Sequence, residues 1–227
     1  MNSKVSSELN MDSYITKYTD SQGSEDTIIS NDGRMLRVRI RGIEFSGTNF
    51  DSFEPSEEVT AAQLSLFTLE HNELCSCRFE FEIPILMSHL DSPSNGTLSV
   101  VLILGDPRPT GGIDREELQI TLTCEWGRFS GSGKSGWFED ELLEIQSQLP
   151  PDVYMKTCIN CLYSDYSPAG HGAFGCMLCF RNLKSEYLAV KTKSDFWPVL
   201  NCTDICVQET YLCPEFTRRI RGTGYRG

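Results

Sequence analysis

Between Leu74 and Leu86 the chain reads LCSCRFEFEIPIL, and its residues sort by parity. Cys75, Cys77, Phe79, Phe81, Ile83 and Ile85 fall on one side; Ser76, Arg78, Glu80, Glu82 and Pro84 fall on the other. Successive side chains of an extended strand point to opposite faces, so the run fits a strand with one dry and one wet face. It makes both cysteines small core residues rather than half of a metal site. Pro84 cannot donate to a ladder and marks an edge or a bulge.

The pattern recurs. In RMLRVRIRGIEF, Leu36, Val38 and Ile40 alternate with Arg37, Arg39 and Arg41, whose row reads as a solvated sheet face. In ELQITLTCEW, Leu118, Ile120, Leu122, Cys124 and Trp126 face one way. TLSVVLIL is a buried strand, with SPSNGT before it and GDPRPTGG after it as turns. Several alternating strands between Gly/Pro turns predict an α+β, mostly β chain with an antiparallel, β-sandwich-like domain over residues 34–132. Residues 1–33, rich in Ser, Asn, Asp, Thr and Glu, read as a flexible leader.

GRFSGSGKSG invites comparison with a phosphate loop, but the first glycine of that motif falls on Arg128. It is read as a link to the next element. WFEDELLEIQSQLPP then predicts a helix: Phe138, Leu142, Ile145 and Leu149 recur at helical spacing. Glu139, Asp140 and Glu141 sit at its positive end on a solvated face, and Pro150 and Pro151 stop it.

Ten cysteines occur in 227 residues, and seven of them lie between Cys158 and Cys213. No apolar run approaches a membrane span, and the first residues lack a secretory apolar segment, so the expected location is cytoplasmic. There, closely spaced thiols serve metals or redox chemistry more often than disulfides. Cys158-x-x-Cys161 and Cys176-x-x-Cys179 form two pairs separated by a turn-rich loop. Four thiolates suit a closed, structural zinc site, and by spacing alone the ligands are Cys158, Cys161, Cys176 and Cys179. Redox and iron–sulfur readings lack their usual sequence context. His171, between two glycines, reads as an exposed loop residue.

One resemblance bears on that choice. Cys158-Ile-Asn-Cys161, Tyr163-Ser-Asp-Tyr-Ser-Pro168, Gly175-Cys-Met-Leu-Cys179-Phe-Arg181 and Gln208-Glu-Thr-Tyr-Leu-Cys213-Pro-Glu-Phe216 resemble an uncharacterised bacterial family, a domain of unknown function, over roughly residues 137–227. The resemblance implies Cys158, Cys161, Cys179 and Cys213 as the recurring cysteines, with Cys176 nearby. Residues 133–227 are thus expected to form a helix plus a zinc-bound, cysteine-rich module.

The formal net charge of −12 opposes general attraction to nucleic acid or anionic membranes and suits a basic protein partner. The expected function is a non-enzymatic protein-binding module with structural zinc, by analogy an immunity or defence-related inhibitor. An alternative is nucleic-acid binding through the arginine tail RRIRGTGYRG. Catalysis has little to draw on: the histidines are His71, His89 and His171, and the one constellation is Asp165, His171 and a zinc-edge cysteine.

Overall fold

The computed structural model describes residues 12–56, 58–90, 92–203, 205–223 and 225. In chain order, strands β1 (Asp12–Asp20), β2 (Gly23–Asn31), β3 (Leu36–Ile40), β4 (Ile43–Gly47) and β5 (Glu54–Pro55) come first. A short helix α1 (Ala61–Leu64) and a small hairpin, β6 (Thr68–Glu70) with β7 (Glu73–Cys75), lead to the long strands β8 (Cys77–His89) and β9 (Ser92–Leu104). After β10 (Glu116–Cys124) and β11 (Gly127–Ser130) come helix α2 (Phe138–Gln148) and β12 (Val153–Met155). The last part holds β13 (Ser164–Asp165), β14 (Met177–Cys179), α3 (Lys184–Ala189), α4 (Lys193–Leu200) and β15 (Cys206–Val207).

Ten strands join in one antiparallel sheet, ordered β11-β10-β9-β8-β1-β2-β3-β4-β5, with β12 also paired to β8. The expected β-rich, antiparallel character is present, as one continuous ladder. The parities hold: Cys75, Cys77, Phe79, Phe81, Ile83, Ile85, Leu36, Val38 and Ile40 are all buried. Pro84 sits where its missing N–H costs nothing. β1 flanks β8 only as far as Phe81 and β12 begins at Met87, so the intervening stretch of β8 pairs with β9 alone.

Three expectations need correction. The leader is not one where the structure describes it. Residues 12–31 form the β1–β2 hairpin, and β1 lies between β8 and β2 inside the sheet. Tyr14, Thr16 and Tyr18 alternate inward, but the buried Thr16 hydroxyl and the exposed Ile15 disguise the period. Residues 1–11 of that expectation lie outside the described residues. SPSNGT is not a turn: residues 92–97 continue β9, paired with β8 out to His89↔Ser92. The chain reverses at Leu90, whose φ of 47° supplies the left-handed step.

The third correction concerns the boundary at residue 133. Phe138, Leu142 and Ile145 of α2 share one apolar core with the sheet, as do Met155, Cys158, Ile159 and Phe174. Phe50 illustrates the join: its ring lies 4.6 Å from Phe81 of β8, and 6.1 Å from both Phe138 and Phe174. A separate small cluster, Phe180, Tyr187, Val190 and Phe196, holds α3 and α4.

The helix is where the sequence placed it, but Glu141 is not solvated; it is fully buried. Its carboxylate accepts from Gly133 N at 2.8 Å and Ser135 Oγ at 2.8 Å, and Glu144 accepts from Ser132 N at 2.8 Å. The Ser132, Gly133 and Ser135 N–H groups of GSGKSG, which in a phosphate loop would face a ligand, are thus directed at the chain's own helix carboxylates.

Candidate metal centre

A single 3₁₀ turn, Cys158–Asn160, carries the first two thiols; it closes with Cys161 N donating to Cys158 O at 3.0 Å. Cys179 ends β14, and Cys213 comes from the segment after β15. That segment is laced onto the 3₁₀ turn by backbone bonds: Cys158 N to Tyr211 O (3.0 Å), Ile159 N to Glu209 O (3.0 Å), and Arg219 N to Asn160 O (2.8 Å). Residues far apart in the chain are therefore brought to one place by the ladder rather than by the Cys-x-x-Cys spacing.

Cys158, Cys161, Cys179 and Cys213 are all buried. Burial pushes the Cys158 thiol well up, and the negative charges that Cys161, Cys179 and Cys213 would carry push it further; Arg181 opposes them. Burial also raises Cys213, again with Cys179 and Cys161 adding to the rise. Cys158 and Cys213 therefore lie close enough to the other thiols to feel their charge. Among the described residues, no three or more His, Cys, Asp or Glu side chains stand as a set that holds a metal ion. The two observations differ in what they require. Electrostatic coupling needs only proximity, whereas a coordination sphere needs convergent sulfurs, and the geometry here reaches the first.

Two donors already point at sulfur. Arg181 Nε lies 3.2 Å from Cys179 Sγ, and Glu215 N lies 3.4 Å from Cys213 Sγ. Burial alone would lower the Arg181 pKa, but Cys179 and Cys213 outweigh it and raise it, so the guanidinium stays charged. Spacing did not single out Arg181. Its position two residues after Cys179, on the strand-end turn that follows β14, is the only signal the sequence carries.

Cys176, favoured by spacing, is apart from this group: it is exposed and disulfide-bonded to Cys206, with Cα atoms 5.3 Å apart. The extra sulfur of the second Cys-x-x-Cys is thereby tied to β15. Cys202 is exposed and free, while Cys75 belongs to the β6–β7 hairpin and Cys77 and Cys124 to the large sheet.

Asp165 and His171 have different partners. Asp165 accepts from Tyr187 OH at 2.8 Å and from Tyr166 N at 2.8 Å. His171 is not idle in the loop: it stacks on Tyr166 with ring centroids 3.9 Å apart and lies edge-on to Trp137 at 5.0 Å. Its Nε2 is 3.6 Å from Glu139. Beneath this stack is Glu209, buried at 1% exposure, with Tyr166 OH donating to it at 2.9 Å. Burial pushes the Glu209 carboxyl up to about 7 against the pull of its hydrogen bonds. Glu209 lies within the Gln208-Glu-Thr-Tyr-Leu-Cys213 motif, but nothing local marked it as buried, and its role depends on contacts with distant residues.

The fold and these contacts define a mostly β protein in which one large antiparallel sheet carries a thiol-lined, loop-rich lobe. Residues 12–164 match DUF6304, a family of unknown function, and the chain belongs to that family. The matched stretch takes in the sheet, α2, Cys158 and Cys161, and so reaches well to the amino side of the 137–227 region in which the sequence motifs lie. No curated protein and no solved structure matches the chain.

Proposed function

We propose that the chain is a binding protein whose thiol-lined lobe is clamped by one zinc ion, held by Cys158, Cys161, Cys179 and Cys213. The observation that carries this reading is the burial of these four neighbouring thiols with Arg181 directed at the Cys179 sulfur and the Glu215 amide at the Cys213 sulfur. The donor set suits zinc, which accepts four thiolates and pairs with N–H groups around the sulfurs. Such a site is filled by protein on every side and serves folding rather than chemistry. Cys176, bonded to Cys206, stands outside it.

The surface then carries the function. A net charge of −12 favours a basic protein partner through complementary potential and fast encounter. Inhibition of a toxin or nuclease, as an immunity or defence-related protein, is one form such binding takes. Affinity purification of the tagged full chain from its native host, with metal measured on the same material, tests the reading. A one-to-one complex with a basic protein that dissociates at high salt is the expected result; recovery of the chain alone contradicts it.

A further inference from the structure

The chain's cations are outnumbered, 20 Lys and Arg against 32 Asp and Glu, yet Arg218, Arg219 and Arg221 line one groove of about 580 Å³ between α2, β12 and the carboxyl-terminal segment. Among the described residues, no carboxylate lines it. This volume is within the ~300–1,000 Å³ that small-ligand sites occupy.

Each arginine is held differently. Arg218 places its guanidinium carbon 4.4 Å from the Tyr154 ring centroid, and Tyr154 is backed in turn by Phe216, near-parallel at 6.0 Å. Its ion pair with Asp152, at 3.6 Å, joins two half-exposed side chains and is weak. Arg219 is anchored through its terminal nitrogens to the Ser164 and Thr223 carbonyls, and its Nε is buried with no hydrogen-bond partner among the described residues. Arg221 is exposed and makes no hydrogen bond or ion pair among the described residues. Asn160, whose backbone carbonyl accepts from Arg219 N at 2.8 Å, also lines the groove, and its amide donates both to Gln146 and to the Met155 carbonyl, which fixes the side chain.

We propose that this groove binds a nucleoside monophosphate, with the phosphate on Arg219 and Arg221 and the base stacked on the Arg218 guanidinium. A concave, cationic wall with no carboxylate among its described lining residues suits an anionic ligand, and guanidinium forks match phosphate oxygens. A guanidinium braced on an aromatic ring presents a flat cation of the kind on which bases stack. A bare anion would use the arginines but not the braced stack, which is why the ligand is a nucleotide. The site is separate from the thiol cluster and does not depend on a metal there.

Calorimetric titration of the full chain at low salt, with adenosine and guanosine 5′-monophosphates, adenosine, inorganic phosphate and a short oligonucleotide lacking terminal phosphate, tests it. One monophosphate should bind at a one-to-one ratio, at least about tenfold more tightly than adenosine or inorganic phosphate, because both halves of the site contribute. Arg221→Ala, an exposed change, should weaken that binding by roughly tenfold, and Arg78→Ala on the remote sheet face should leave it unchanged. The proposal is overturned by no saturable binding of either monophosphate, by inorganic phosphate or the oligonucleotide binding as tightly, or by an Arg221→Ala variant that binds like the parent.

Discussion

Arg181 sends its Nε–H to Cys179 Sγ across 3.2 Å, so the cation nearest the thiol cluster is already bonded to one of its sulfurs. A charged donor to a thiolate stabilises the deprotonated form that a metal needs. It also screens Cys213, whose thiol burial raises and Arg181 lowers. Arg181→Ala should therefore loosen the proposed zinc without abolishing the fold. Partners of this kind typically change metal affinity by about 10–100-fold, and competition against a chromogenic chelator measures it. Unchanged affinity would mean that the contact with Cys179 is incidental.

Cys158 belongs to the same apolar core as Phe81 and Phe138. The sequence division at residue 133 implied that losing the clamp would unfold only the carboxyl-terminal third. The shared core implies otherwise: Cys158→Ser should lower the melting temperature of sheet and lobe together, in one transition. A loss of ~4 kcal/mol would move Tm by roughly 8–16 °C in a chain of this size. Hydrogen exchange on β8 and on the 3₁₀ turn decides it. If β8 keeps its full protection while the turn loses all of its own, the two parts are independent.

Glu209 gives the stability a pH dependence. Its carboxyl is raised from the ordinary 4.5 to about 7, by burial first. Between those values the unfolded chain has lost the proton and the folded chain retains it. The folded state thus binds more protons, and stability falls as pH rises from about 4.5 to 7. The contribution is on the order of 3 kcal/mol. Asp51 acts in the same direction: burial, then Glu116, pushes it up to about 7. Glu209→Gln should flatten part of this slope and be more stable than the parent at pH 8, as read from urea midpoints at pH 5 and pH 8. A variant with the parent's slope would remove Glu209 from the account.

The β1–β2 hairpin should be indispensable. Tyr18 is fully buried, 5.2 Å from Phe79, and its hydroxyl donates to Asp20, which Arg41 pairs at 2.6 Å. Tyr18→Ala should cost roughly 3–5 kcal/mol, as for other large buried rings. A chain lacking residues 1–31 should not fold, because β8 would lose a flanking strand. A folded, monomeric truncation with the parent's circular dichroism would return this segment to the status of a leader.

The contrast between that hairpin and β8 shows what was legible. In β8 the wet face carries charges and the dry face carries Phe and Ile, so the period stands out. In β1 the inward positions are Tyr14, Thr16 and Tyr18 and the outward ones include Ile15, exposed at 78%. With an apolar residue outside and a hydroxyl inside, parity fails as a signal, and only the long-range pairing to β8 fixes the face. Glu141 misled for a related reason. A carboxylate at a helix start is normally solvated, and only the return of the glycine-rich segment supplies the N–H groups that bury it. Spacing drew attention to Cys158, Cys161, Cys176 and Cys179, and a motif resemblance to Cys213; neither could show that Cys176 reaches Cys206, because which strand each sulfur meets depends on β14 and β15 pairing.

Metal content measured by elemental mass spectrometry on chain purified without chelator, with thiol mapping of the same sample, tests the clamp most directly. The account predicts about one zinc per chain, with Cys158, Cys161, Cys179 and Cys213 protected from alkylation until a chelator and denaturant are added. No stoichiometric metal, together with those four cysteines found oxidised in pairs, would contradict it.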